Sequence, residues 1–154
     1  MNKLLILGIG NLLMGDEGVG IHVVQHLQNN YHWKAVDIVD GGTGGFHLLE
    51  YFQSYPLVFL VDATIDNDLP GTVKLLKPKF SSDYPPTLSA HDIGLKDLLD
   101  ALYLLNNQPE IWLFTISIAR LTSVSLELTP EVKAAISKAS NVIASHVIKL
   151  KSLK

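Results

Sequence analysis

The chain contains no cysteine among its 154 residues, which excludes disulfide bonds, thiolate catalysis and cysteine-ligated metal. It also has no long apolar run, because the apolar stretch at residues 4–7 is too short for a signal-peptide core or a membrane span. An excess of charge of one sign is missing too, since 12 Lys and Arg oppose 15 Asp and Glu, for a net charge of −3. We therefore expect a cytoplasmic protein with neither nucleic acid nor a membrane as its partner.

The pattern of apolar segments predicts one α/β domain covering residues 1–154, and we expect a monomer. Strands are predicted at residues 4–9, 35–39, 57–61, 71–76 and 111–117, and amphipathic helices separate most of them. The connection before the fourth of these strands is too short for a crossover helix, so we predict an antiparallel edge strand there. The alternation predicts a three-layer α/β/α fold, doubly wound around a mostly parallel five-strand sheet.

Polar side chains follow several of the predicted strands. In an open α/β sheet the functional site lies outside the carboxyl ends of the strands, and seven polar residues fall in those segments: Asn11, Asp16, Glu17, Asp40, Thr43, Asp62 and His91. Two carboxylates and an imidazole at this edge would suit a divalent ion such as nickel or zinc. Each residue also has a structural interpretation, with Asp16 as a helix cap and Asp62 satisfying backbone groups at a strand end.

Two further motifs suggest other functions. Residues 8–13 begin like the dinucleotide-binding pattern G-x-G-x-x-G, but Leu13 replaces the third glycine, which argues against nucleotide binding. His22 and His26 lie one helical turn apart, as in a zinc protease, but Val23 occupies the position of the catalytic glutamate. We interpret this pair as histidines at the surface or at its boundary with the core.

Four segments of the chain resemble, in order, the motifs of the hydrogenase maturation proteases, the endopeptidases that process the large subunit of nickel–iron hydrogenases. The sequence LGIGNLLMGDEGVG at residues 7–20 resembles the first motif, and DGGTGG at residues 40–45 resembles the second. LVDA at residues 60–63 resembles the third, and SAHDIGL at residues 89–95 the fourth. The resemblance covers nearly the whole chain and implies the same mostly parallel five-strand fold.

The resemblance also implies roles for individual residues. The metal ligands of the family correspond to Glu17, Asp62 and His91. Either Asp16 or Asp40 is expected to act as general base. The residues expected to contact the substrate are Asn11, Gly41, Gly42 and Thr43.

The activity implied by the resemblance is removal of the C-terminal extension from a nickel-loaded precursor of the hydrogenase large subunit. Nickel would come with the substrate, and other divalent ions would substitute for it in the isolated protein. Whether nickel is catalytic or only recognised stays open at this point. Two alternatives also stay open, namely a nickel checkpoint or chaperone that binds the precursor without cutting it, and a dinucleotide-binding domain.

Overall fold

A computed structural model of the chain describes residues 3–85, 93–119 and 124–153. Five strands occur in these ranges: β1 Leu4–Gly8, β2 Val36–Asp40, β3 Leu57–Thr64, β4 Val73–Leu76 and β5 Glu110–Ser117. Four α-helices accompany them: α1 Val19–Asn30, α2 Leu49–Ser54, α3 Ile93–Leu104 and α4 Pro130–Ser152. Short 3-10 turns lie at Gly15–Gly18, Phe46–Leu48 and Ser81–Asp83. None of the helices described here is both long and apolar enough to cross a bilayer.

The strands form one sheet in the order β2-β1-β3-β5-β4. Neighbouring strands are parallel except at one edge, where β4 runs antiparallel to β5. The central strands are almost entirely buried, as expected when helices cover both faces of a parallel sheet. The predicted fold class is confirmed, including the antiparallel edge strand.

Alternating side chains of the strands enter two separate apolar clusters. In β3, Phe59 and Val61 join the cluster that packs against α1 and α4. Val58 and Leu60 join the cluster on the opposite face, which includes apolar side chains of α2 and α3. The period-two alternation of a strand thus places a helical layer on each side of the sheet.

Several element boundaries differ from the prediction, in ways that matter for the site. Ala35 has a φ of +64° and therefore precedes β2 rather than beginning it, while Asp40 is the last residue of β2. β3 does not stop before Asp62 but continues to Thr64, since its last residues pair with the end of β5. The α-helix predicted to begin near Asp16 begins at Val19, because a 3-10 turn intervenes.

Candidate functional site

The candidate site lies at the point where the order of the strands in the sheet reverses. β1 has β2 on one side and β3 on the other, so the switch point of this doubly wound sheet lies beside the end of β1. The turn after β2 is bound to β1, because Gly41 N donates to Gly8 O at 2.8 Å and Gly10 N donates to Gly42 O at 2.9 Å. The segments that follow β1 and β2 therefore meet at one edge, next to the end of β3.

Glu17 reaches this edge on the 3-10 turn Gly15–Gly18, which packs against β3. Its side chain is buried, with 7% exposed. Close backbone packing holds the turn in place: a Cβ on Gly20 would come within 2.5 Å of Val61 O, and one on Gly10 within 2.5 Å of Glu17 O. Only glycine fits at these two positions, which explains the glycines on either side of the two acids.

Asp62 lies within β3 and is 1% exposed. Its Oδ1 accepts a hydrogen bond of 2.8 Å from Ala63 N. Ile9 N donates to Val61 O on the β1 side of the strand, and every second residue of a parallel strand faces the same neighbour. Ala63 N therefore also faces the β1 side, beyond the last residue of β1. By binding this N–H, the Asp62 carboxylate turns toward the switch point.

Asp40 ends β2 and is exposed. Its Oδ1 accepts a hydrogen bond of 2.8 Å from Gly42 N, and the φ of +60° at Gly42 suits glycine. Thr43 is exposed in the same turn. Across the edge, Asn11 Oδ1 accepts a hydrogen bond of 3.0 Å from Leu13 N and stabilises the loop after β1. The turn and the loop thus present polar groups on either side of the end of β1.

Asp16 is buried like its neighbour Glu17, with 3% exposed, but its contacts differ. Its Oδ1 accepts from Thr129 N and its Oδ2 from Thr129 Oγ1, both at 2.8 Å. Thr129 is the residue before α4, and its own side chain makes no capping hydrogen bond. Asp16 therefore joins the turn after β1 to the start of α4. It does not cap α1, whose N-cap position is Gly18.

The site combines buried and exposed carboxylates from three parts of the sheet. Glu17 and Asp62 supply buried oxygen donors at the switch point, a donor type that binds divalent ions. Within residues 3–85, 93–119 and 124–153, no group of three or more His, Asp or Glu side chains could hold a metal ion. Asp40 is thus not a third ligand in this arrangement. The third predicted ligand, His91, lies outside the described residues.

A family model of hydrogenase maturation proteases matches residues 21–146. The chain belongs to the hydrogenase maturation protease family. It is 31% identical over 140 residues to the hydrogenase 2 maturation protease of Escherichia coli (strain K12), an alignment that covers 89% of this chain and 85% of that protein.

Solved structures of the same family superpose on the chain. The hydrogenase maturating endopeptidase HybD from E. coli superposes with a TM-score of 0.84 and 29% identity, covering 96% of this chain and 93% of that one. The [NiFe] hydrogenase maturation protease HybD from Thermococcus kodakarensis superposes with a TM-score of 0.75 and 28% identity, covering 93% and 97%. The fold neighbours therefore agree with the family that the sequence resembles.

The geometry also bears on the two rival motifs. The loop after β1 does not lead directly into an α-helix, and the acids Asp16 and Glu17 precede α1, where they would repel a phosphate. His22 and His26 are both half-buried, which confirms their predicted position at the boundary of the core. Burial lowers the pKa of His22 below its ordinary value of 6.5 because the charged form loses hydration.

Sequence reasoning missed two features of the site in this maturation protease. Ser125 forms a parallel bridge with Met14, in which Gly15 N donates to Ser125 O at 2.7 Å and Ser125 N donates to Leu13 O at 2.8 Å. No local sequence pattern at Ser125 predicts this contact. Thr115 lies beside Asp62 in the register of β3 and β5. The switch from apolar to polar residues near the end of β5 was an available signal.

Proposed function

We propose that this chain removes the C-terminal extension of a nickel–iron hydrogenase large-subunit precursor, after nickel insertion and in the cytoplasm. Membership of the maturation protease family supports a protease, and the T. kodakarensis relative is a [NiFe] hydrogenase maturation protease. The observation that carries the proposal is the pair of buried carboxylates, Glu17 and Asp62, at the switch point of the sheet. Carboxylate oxygens are ligands that a divalent ion accepts.

In this proposal Glu17, Asp62 and His91 bind the nickel ion that the precursor carries, and thereby position the scissile peptide beside Asp40. Carboxylate and imidazole ligands suit nickel. Bound there, the nickel would supply Lewis acidity for the scissile carbonyl. The turn at Gly41, Gly42 and Thr43 and the loop at Asn11 border the bound peptide.

Between the two candidates for the general base, the contacts favour Asp40. Both carboxylate oxygens of Asp16 already accept hydrogen bonds from Thr129, whereas Asp40 is exposed at the end of β2. Asp40 takes a proton from the attacking water as its oxygen adds to the carbonyl carbon. The same proton then passes to the leaving amine as the peptide bond breaks.

A purified-component assay tests the activity. Nickel-loaded and nickel-free precursors are incubated with the protein, and loss of the C-terminal peptide is followed by mass spectrometry. We expect cleavage of the loaded precursor only. Tight binding of the loaded precursor without cleavage would instead support a checkpoint, and would overturn the proposed protease activity for this chain.

Variants test the individual roles. Glu17→Gln and His91→Ala should fold normally and lose processing, since each removes a metal ligand. Asp40→Asn should slow cleavage by about 100-fold or more, as is usual when a general base is removed. Glu50→Gln, which changes an exposed carboxylate on α2, is the matched control and should cleave like the wild type. Wild-type cleavage by Glu17→Gln or His91→Ala would refute the ligand assignment.

A further inference from the structure

The ends of β3 and β5 carry buried polar side chains on one face of the sheet. Asp62, Thr64, Thr115 and Ser117 are each no more than 1% exposed. In each strand these side chains lie on the same face as the buried apolar residues that precede them, the face covered by α2 and α3. A polar group in such a place normally has a hydrogen-bond partner, because desolvation without one destabilises the fold.

The two threonine hydroxyls depart from this rule. Ser117 Oγ donates to Asp66 Oδ1 at 2.8 Å. By contrast, Thr64 Oγ1 and Thr115 Oγ1 are buried and have no hydrogen-bond partner in the part of the chain that the structure describes. Valine would fill either position with nearly the same shape and without this cost. We therefore expect that a threonine hydroxyl at this place forms its hydrogen bond in another state of the site, one in which the site carries out its function.

Thr115 is the hydroxyl placed next to a proposed ligand. It is the register partner of Asp62, and alternation puts both side chains on the same face. The Asp62 carboxylate bonds to Ala63 N, which faces the β1 side, whereas Thr115 lies on the β5 side of Asp62. A rotation of the Asp62 side chain on ion binding would turn its second oxygen from the β1 side toward the Thr115 hydroxyl.

We propose that Thr115 is a positioning residue for Asp62, donating a hydrogen bond from its Oγ1 to Asp62 Oδ2 when the carboxylate binds the nickel of the precursor. The proposal rests on the proposed function. Carboxylates that bind metal are themselves oriented by hydrogen bonds, and loss of such a partner usually lowers metal affinity or activity by about 10- to 100-fold. Thr64 lies two residues further along β3 and lacks the direct register contact.

Three variants of the full chain test this role. Thr115→Val removes the hydroxyl with little change of shape, and Thr115→Ser restores it. Ser140→Ala is the control, because Ser140 Oγ is also buried without a hydrogen-bond partner in the described residues but lies in α4. The measurements are the thermal midpoint, the affinity for Ni²⁺ alone by calorimetry, and kcat/KM on the nickel-loaded precursor.

We expect Thr115→Val to keep or raise the thermal midpoint, since its hydroxyl makes no bond in the free protein. Its Ni²⁺ affinity and its kcat/KM should each fall by about 10- to 100-fold. In Ni²⁺ affinity and in kcat/KM, Thr115→Ser should stay within a few-fold of the wild type, and Ser140→Ala should equal the wild type. Wild-type Ni²⁺ affinity and kcat/KM for Thr115→Val would overturn the proposal. A fall in its thermal midpoint large enough to explain the lost activity by unfolding would also overturn it.

Two further samples separate this inference from the proposed function. If the wild-type chain leaves the loaded precursor uncut, the proposed activity fails, and the Ni²⁺ titration alone decides on Thr115. Asp62→Asn provides the reference for that titration. If Asp62→Asn binds Ni²⁺ like the wild type, the ligand assignment fails and Thr115 has no ligand to position.

Discussion

The hydrogen bonds between Asp16 and Thr129 indicate that Asp16 has a structural role and not a catalytic one. The substitution Asp16→Asn tests this assignment. The carboxylate is 3% exposed and accepts two hydrogen bonds of 2.8 Å at the start of α4. Asparagine has nearly the same shape, but only one of its two side-chain atoms accepts hydrogen bonds. The substitution therefore removes one bond and the negative charge that strengthens the other.

The expected loss follows from these contacts. A hydrogen bond to a charged group contributes about 1.5–3 kcal/mol, and a negative charge at a helix N-terminus adds about 0.3–1 kcal/mol. Since Asp16→Asn keeps one weakened bond, we expect a loss of about 2–3 kcal/mol in the free energy of unfolding. For a chain of this length, that lowers the thermal midpoint by about 4–12 °C.

Urea denaturation followed by tryptophan fluorescence measures this loss, since Trp112 is buried beside β3. Thr129→Val, which removes only the hydroxyl, should lose less, and the double variant should be less unstable than the sum of the two. Asp16→Asn should still cleave the precursor at temperatures where it is folded. Full stability with lost cleavage would refute this reasoning and make Asp16 the general base.

Two further predictions concern packing and pH. Gly20→Ala should destabilise the fold by about 1–3 kcal/mol, because its Cβ would lie 2.5 Å from a backbone oxygen of β3. The same denaturation assay measures this loss. Asn29 is exposed on the same helix, so the control Asn29→Ala should change stability little. The pKa of Asp66 is lowered although burial alone raises it, because the hydrogen bonds from Ser117 and from Asp68 N, together with the ion pair with Lys74, outweigh burial. A carboxylate with a lowered folded-state pKa stabilises above its unfolded pKa and loses that contribution as the pH falls through its folded value. Ser117→Ala should therefore lose stability at pH 7, and its difference from the wild type should shrink below about pH 4; a penalty constant down to pH 3 would contradict this.

Much of the fold could be predicted because its signals are local. Continuous apolar runs predict the strands that are buried on both faces, and the short connection before β4 predicts its antiparallel direction. The boundaries were less predictable, since they depend on contacts across the sheet. β3 continues through Asp62 because the end of β5 is there to pair with it, and nothing in the sequence of β3 alone reveals that partner.

The candidate site divides in the same way. Acids after β1, at the end of β2 and near the end of β3 were predictable because the carboxyl ends of parallel strands share one edge. The division of roles between neighbouring acids was not. Asp16 and Glu17 are adjacent, similar in chemistry and similarly buried. Only Thr129, just before α4 and more than a hundred residues away, shows that both oxygens of Asp16 accept hydrogen bonds.

The sequence by itself determined the layered α/β architecture, the family and the edge of the sheet where the acids gather, because periodicity and motif order are properties of the chain. Only the tertiary structure decided which acid joins two elements, which way the Asp62 carboxylate turns and which hydroxyl lies beside it. These are contacts between segments distant in sequence. Their geometry depends on strand register and backbone direction, which exist only once the sheet has formed.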